Sequence, residues 1–424
     1  MSPPQKFHYK NKKLYCESAP LAAIAEAVGT PVYVYSQAEL IERAAAYMTA
    51  VPPHALICYA TKANGNPALL RLLAKAGLGG DVTSGGELFL ALHAGIAPEK
   101  IIYSGVGKTQ AEIEMALEAG IRALHVESEM ELLAIATIAK ERRQIARIGV
   151  RVNPNINAQT HPYISTGLHG HKFGVNPERA IDIIRQAATN PWLEPIGLAA
   201  HIGSQITDLD PFAESARFLV GLADELAGMD IRLDYLDVGG GLGIDYYGEQ
   251  ATANGKQLTP TIEDWVTAVS HPIAQAGYNL VLEPGRSIVG PTGALLTQIV
   301  YTKEQGGKQF IIADAGMNDL LRPSLYQAHH PIWPLQQPAA SAQRQPVDIV
   351  GPICETSDSL AKERPFPPTK PGDLLAIMQA GAYGFAMASN YNGRLRPAEV
   401  LVNGDQFRII RQRQTHQHLL DGTQ

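Results

Sequence analysis

Ile57-Cys58-Tyr59-Ala60-Thr61-Lys62-Ala63-Asn64 is a short apolar run that ends on a lysine, and Asn66-Pro67 follows it two residues later. The run reads as a strand. Asn is a helix-capping residue and Pro is favoured at the first helical position, so a helix begins just beyond the lysine. Strand, lysine and helix start in that order is how a (β/α)8 barrel presents a working group at the carboxyl end of a strand. Taken alone, Lys62 reads more readily as a solvated loop residue. What decides between the two readings is whether the unit repeats.

It does. Seven further strand candidates follow Ala55 to Thr61: Gly80 to Thr83, Ile101 to Ser104, Ala123 to Val126, Ala146 to Asn153, Gly197 to His201, Leu233 to Val238 and Asn279 to Glu283. The intervening helices carry their own punctuation. Ser84 with Glu87, Thr109 with Glu112 and Ser128 with Glu131 have capping-box spacing; Asn176-Pro177 and Asp210-Pro211 are starts; Gly77, Gly95 and Gly120 are stops. Alternating strands and helices with near-continuous apolar strands predict a parallel sheet covered on both faces. The spacing therefore predicts one (β/α)8 TIM barrel over about residues 36–289.

Outside it the period changes. Met1 to Leu14 reads as a polar arm, Leu21 to Val28 as a helix ended by Gly29, and Pro31 to Tyr35 as a strand. Ser36 and Glu39 then cap a helix that Pro52-Pro53 stops. After Gly290, strands are predicted at Ala294 to Thr302, Phe310 to Asp314, Val347 to Ile353, Leu374 to Gln379, Glu399 to Val402 and Phe407 to Arg411, with hairpin-type signals at Gly306-Gly307 and Asn403-Gly404. Pro331 to Pro346, rich in Gln, Ala and Pro, reads as a loop. The expectation is a second, all-β domain, a barrel or sandwich made of residues 290–424 and completed by residues 1–35.

Composition narrows the function. The 424 residues are 45% hydrophobic and 18% charged, as in globular proteins, and carry a formal charge of -6 with no run of lysines or arginines. A nucleic-acid or anionic-membrane partner is not expected; a small-molecule ligand is. Cys16, Cys58 and Cys354 are far apart, which suggests neither a disulfide framework nor a metal site and fits a reducing cytoplasm. No stretch has the makings of a signal peptide or a membrane span.

A barrel brings the carboxyl ends of its strands to one face. Here those ends carry Lys62, Asp81, Gly105, Asn153, His201 with Ser204, Gly239-Gly240-Gly241 and Glu283-Pro284-Gly285-Arg286. A glycine run lets backbone N–H groups approach a phosphate, although three glycines also make a plain turn. A lysine, a phosphate cradle, a flat histidine and a carboxylate are what pyridoxal 5′-phosphate needs: a covalent anchor, a phosphate site, a ring face and a partner for the pyridine nitrogen. Each residue also has a structural reading. His201 suits a core histidine, Glu283 and Arg286 an ion pair, Cys354 a small apolar filler. Asp81 suits either an orienter of the lysine or a cap for the next helix.

The stretches CYATKAN, HPYISTG, HIGSQ, DVGGGLG, EPGR, MNDLLRPSLY, GPICETSD and AYGFAMASNYN resemble, in order, the motifs of the diaminopimelate decarboxylase family. That family is one of the alanine racemase-like, fold type III pyridoxal phosphate enzymes. The resemblance runs from about Phe7 to Val402 and departs from the family's pattern at Thr356 and Gly393. It implies that Lys62 bears the cofactor, His201 stacks on its ring, Glu283 meets the pyridine nitrogen, and Ser204, Gly239, Gly240, Gly241, Gly285, Arg286 and Tyr383 hold the phosphate. It also implies Arg286, Arg322 and Tyr326, with Tyr383, on the retained carboxylate, Glu355 on the distal ammonium, and Cys354 as the acid. The implied activity is decarboxylation of meso-2,6-diaminopimelate to L-lysine in a cytoplasmic homodimer with active sites shared across the interface. A sister decarboxylase for ornithine, arginine or carboxynorspermidine, or a non-catalytic homologue, is the alternative; retention of Lys62 and Cys354 speaks against the last.

Overall fold

The computed structural model describes residues 6–157, 172–247 and 259–424. Contacts group them into two compact units, residues 43–157, 172–244 and 259–287 in one and 6–42, 245–247 and 288–424 in the other.

The first unit is a closed barrel of eight parallel strands. In chain order these are β1 (Leu56–Ala60), β2 (Gly79–Val82), β3 (Ile101–Tyr103), β4 (Ala123–Val126), β5 (Ala146–Arg151), β6 (Leu193–Ala199), β7 (Tyr235–Asp237) and β8 (Asn279–Leu282). Each pairs with the next, and β8 closes on β1 through Val281 opposite Leu56 and Leu282 opposite Ile57. All eight sit where the sequence predicts them, with ends differing by a few residues. Cys58, Ile102, Ala123, Tyr235 and Val281 form a packed cluster within the ring of strands, so the barrel is filled. Outside it, Trp265 packs edge-on against Phe212 and Tyr47 at centroid distances of 5.5 and 5.9 Å, which ties three helices together.

Most helix caps follow the sequence signals, although the helix Asp210–Ala227 begins at Asp210 with no side-chain cap. Asn66 accepts from Ala68 N at 2.9 Å and Asn176 from Arg179 N at 2.8 Å, each with Pro at the next position. Thr109 and Glu112 form a full reciprocal box. At Ser84 and Ser128 the serine caps, but the glutamate reaches one residue further back, Glu87 to Thr83 N at 2.7 Å and Glu131 to Glu127 N at 2.8 Å. Gly77, Gly95 and Gly120 take φ of +94°, +88° and +66°, as helix stops do.

The second unit is built on a nine-stranded sheet. Its longest strand, Gly293–Gln305, pairs at its start with Val32–Ser36 and Leu374–Ile377 and at its end with Lys308–Ala313. Val32–Ser36 is therefore internal, with Ala398–Asn403 running parallel on its other side. Phe7, Leu14, Val32, Val34, Leu296, Ala376 and Val400 share one core.

Three expectations need correction here. The arm up to Leu14 contains a hairpin, Phe7–Lys10 with Lys13–Cys16, turned by Asn11 and Lys12, both at positive φ as a two-residue turn requires. The loop Pro331 to Pro346 begins with the strand Ile332–Pro334 and ends inside Gln345–Val350. Ser359–Phe366 is an unanticipated strand. Its charged Lys362-Glu363-Arg364 and the register shifts against Gln345–Val350 hid its alternation.

Candidate active site

Lys62 does not stand on β1 itself but in a single 3-10 turn, Thr61–Ala63, directly after it. The turn is pinned from three sides. The Thr61 hydroxyl lies 2.8 Å from both Asp81 O and Glu87 Oε2. Asn64 Oδ1 accepts from Asn66 N at 3.0 Å, and a Cβ on Gly285 would come within 3.0 Å of the Cβ atoms of Ala60 and Ala63. Lys62 Nζ is thereby delivered 2.6 Å from Asp81 Oδ2, a carboxylate with no exposed side-chain surface. Of the two roles open to Asp81 in the sequence, its side chain makes the lysine contact; Ser84 caps the next helix.

The loops after β6 and β7 interlock. Gly240 N donates to His201 Nδ1 at 3.2 Å, and a Cβ at Gly239, whose φ is +69°, would meet the same nitrogen at 2.7 Å. Burial, helped by Arg151 and Lys62, holds the His201 imidazole well below its ordinary pKa, so the ring is neutral. A Cβ at Gly240 would meet Glu283 O at 2.2 Å and one at Gly241 would meet Gly203 O at 2.4 Å. The backbone approaches this closely only because these residues are glycine. Arg286 Nη2 donates to Ser204 Oγ at 3.0 Å, which sets a guanidinium and a hydroxyl beside the glycine loop.

Buried carboxyl groups stand at the ends of β2, β7 and β8. Glu283, Asp237 and Asp81 are all buried, and Gly239 N donates to Asp237 Oδ1 at 2.8 Å. One side-chain nitrogen or oxygen each from His125, Asp237 and Glu283 lies within 4.8 Å of the others. Burial and then the Asp237 charge push Glu283 up from the carboxylate range, and burial pushes Asp237 up to about 7. Lys62, Ser104, His125, Arg151, His201 and Glu283 line a common cavity of about 400 Å³.

This donor set fits pyridoxal phosphate: carboxyls raised chiefly by burial, and further by one another's charge, are relieved by a cationic ring nitrogen, while the neutral His201 adds no opposing charge. Asp237, His125, Ser104 and Arg151 carry this arrangement too, yet none of them was singled out from the sequence. Ser104 adjoins Gly105 at a strand end and was findable there; His125 lies inside an apolar strand and was not.

The other predicted residues belong to the second unit. Arg322 opens the short helix Arg322–Tyr326 and is buried. Its Nη1 donates to His330 Nε2 at 2.7 Å, His330 Nδ1 donates to Met378 O at 2.8 Å, and its guanidinium lies 4.7 Å from the Tyr246 ring centroid. Tyr326 is half-buried, and Tyr383 is held at φ +56°, a backbone region a tyrosine enters only where surroundings force it. Cys354 is exposed and its N–H donates to Asn392 Oδ1 at 2.8 Å. Glu355, next to it, accepts from the Tyr391 hydroxyl. Asp358 shapes this loop by accepting from Met317 N and Ile353 N, each at 2.7 Å. HPYISTG, residues 161–167, lies outside the described residues.

Comparison with known proteins converges on one answer. Residues 37–290 match the family described as pyridoxal-dependent decarboxylase, pyridoxal binding domain. The chain is 45% identical to the diaminopimelate decarboxylase of Aquifex aeolicus over 97% of its length and 96% of the relative's. With that of Pseudomonas aeruginosa it shares 46%, over 98% of both chains. Among solved structures, diaminopimelate decarboxylase of Helicobacter pylori complexed with L-lysine superimposes with a TM-score of 0.89 at 41% identity, covering 95% of this chain and 98% of that one. The M. jannaschii enzyme in co-complex with L-lysine gives 0.92 at 38%, over 99% and 97%. With its lysine-bearing barrel, its β unit and full-length identity of this order, the chain belongs to the diaminopimelate decarboxylase family of pyridoxal-dependent decarboxylases.

Proposed function

We propose that the chain removes one carboxylate of meso-2,6-diaminopimelate as carbon dioxide and releases L-lysine, the last step of lysine biosynthesis. The observation that carries this reading is the contact of Lys62 with buried Asp81 in the same cavity as neutral His201 and buried Glu283. Pyridoxal 5′-phosphate, bound there, supplies the electron sink for the pair left when the carboxylate departs.

The residues of the chain then divide the work. Lys62 anchors the cofactor through its amine, and Asp81 orients that amine. His201 covers the ring face without adding charge, and Glu283 pairs with the ring nitrogen. Ser204, Gly239, Gly240, Gly241, Gly285, Arg286 and Tyr383 hold the phosphate. Arg286, Arg322 and Tyr326 take the retained carboxylate, with Tyr383 beside them, because a guanidinium fork binds a carboxylate through two parallel hydrogen bonds. Glu355 takes the distal ammonium, and Cys354 returns a proton to the carbon, work for which a thiol is suited near neutral pH. Residues 36–289 form the cofactor domain, and residues 1–35 with 290–424 the second domain. Two chains associate head to tail in the cytoplasm, each lending its Cys354 loop to the partner's barrel. Among the described residues no helix is long and apolar enough to cross a membrane.

The test uses purified protein loaded with the cofactor. A visible absorbance band removed by borohydride and missing in Lys62→Ala is expected, together with one lysine released per diaminopimelate consumed. Faster turnover of ornithine or arginine than of meso-2,6-diaminopimelate would overturn the substrate assignment.

A further inference from the structure

Tyr235 on β7, His125 on β4 and Ser104 just past β3 form a line of hydrogen bonds through the barrel interior that ends on Glu283. Tyr235 Oη lies 2.8 Å from His125 Nε2, His125 Nδ1 3.3 Å from Ser104 Oγ, and Ser104 Oγ 3.3 Å from Glu283 Oε1. Two glycines make room for it. A Cβ at Gly197 would sit 2.3 Å from the Tyr235 ring, and one at Gly149 would sit 2.6 Å from His125 Cδ2.

The direction of each bond follows from which atoms hold protons. Burial raises the Tyr235 phenol well above its ordinary pKa, so it keeps its hydrogen. Among the described residues the one acceptor recorded for that hydroxyl is His125 Nε2, which therefore contributes a lone pair. Burial, with the Lys108 and Arg151 cations, lowers His125 to about 3, so the ring is neutral and its single proton is on Nδ1. That proton goes to Ser104 Oγ, which leaves the serine's own hydrogen for Glu283 Oε1. Every donor in the line points toward the carboxylate.

We propose that Tyr235, His125 and Ser104 are positioning residues for Glu283, a one-way line of donors that fixes its carboxylate in one orientation and favours its ionised form. Such a line is needed because burial and the neighbouring Asp237 and Asp81 push the same carboxyl toward neutrality. Donors aimed at the charged form oppose that push, and each bond polarises the next. The inference rests on the assignment of Glu283 to the ring nitrogen of the cofactor.

The test compares Ser104→Ala, Tyr235→Phe, the double variant and Glu283→Gln as holoenzymes. It reads the pH titration of the bound cofactor's absorbance, the cofactor dissociation constant and the thermal midpoint. Ser104→Ala is expected to displace the titration and to weaken cofactor binding by about tenfold, the size of one lost hydrogen bond to a charged group. Tyr235→Phe moves both in the same direction by less, and the double variant matches Ser104→Ala, because a line already cut has nothing left to transmit. Additive losses with an unmoved titration would reduce the three residues to packing and overturn the proposal. A titration displaced by Glu283→Gln but not by Ser104→Ala also overturns it, whereas one displaced by neither overturns the assignment of Glu283 instead. Nitrogen-15 spectra of histidine-labelled wild type test the direction without any variant: His125 protonated on Nε2 would overturn it.

Discussion

Acid acts against a neutral imidazole held below its ordinary pKa, and the described residues of the barrel unit include two of them. His125 is lowered to about 3 and His201 falls well below its ordinary value, both chiefly through burial. In the unfolded chain both return to about 6.5, so below that pH, and for His125 down to about 3, the unfolded state binds more protons than the folded one. Stability is then undiminished above about 6.5 and falls as pH drops, by up to about 1.4 kcal/mol per pH unit for each histidine. Urea midpoints measured from about pH 4 to about pH 7 should show this slope, and His125→Asn should flatten it. A slope unchanged in that variant would mean that His125 is protonated in the native barrel. Arg322 supports a second expectation at this scale. Replacing it by Leu removes a charge-assisted carboxylate contact of about 1.5–3 kcal/mol, so kcat/KM for meso-2,6-diaminopimelate should fall roughly tenfold to a hundredfold. Unaltered kinetics would remove Arg322 from the substrate site. Lys62, His201 and Glu283 were legible in the sequence because each stands just beyond a strand, where a barrel exposes side chains. Asp237 and His125 were not, because they lie within β7 and β4 and their importance comes from neighbours brought together only by closure.

For elements, legibility depended on punctuation. The barrel strands are separated by helices, most of them capped, and the spacing alone located all eight. The hairpin of Phe7–Lys10 and Lys13–Cys16 has polar residues on its outer face and buries only Phe7, Leu14 and Cys16, so it passed for an arm. Inside the barrel, small residues are as decisive as caps. Gly197 follows a register shift in the pairing of β6 with β5, and the space above it is filled by the Tyr235 ring. Gly197→Ala should therefore destabilise the barrel by about 1–3 kcal/mol through overpacking, and Gly197→Ala combined with Tyr235→Leu should recover part of that. Chemical denaturation of the single and double variants checks this, and equal losses in both would show that the clash is absorbed elsewhere.

The whole molecule adds questions that no single unit answers. In the proposed head-to-tail dimer, Lys62→Ala and Cys354→Ala homodimers should each be nearly inactive, while a mixture that has exchanged subunits regains activity. One site of a mixed dimer carries both lesions and the other neither, so random exchange should restore about a quarter of the wild-type rate. Exchange demonstrated by mass without recovered activity would assign each Cys354 to its own chain's lysine. Much of the second unit was readable as β structure, yet the sequence could not say that Val32–Ser36 would be an internal strand, since that depends on partners from the far end of the chain. Its pairing with residues 293–296 on one side and 398–402 on the other also sets a timetable for synthesis. As the chain emerges from its amino end, the barrel can close once Asn279–Leu282 has appeared, because β8 finds β1 already made. Val32–Ser36 must wait for Ala398–Asn403, near the carboxyl end, and meanwhile presents an unpaired apolar edge. A chain cut short before residue 398 keeps that edge open, so the molecule carries in its own strand order a mark that distinguishes a finished copy from an unfinished one.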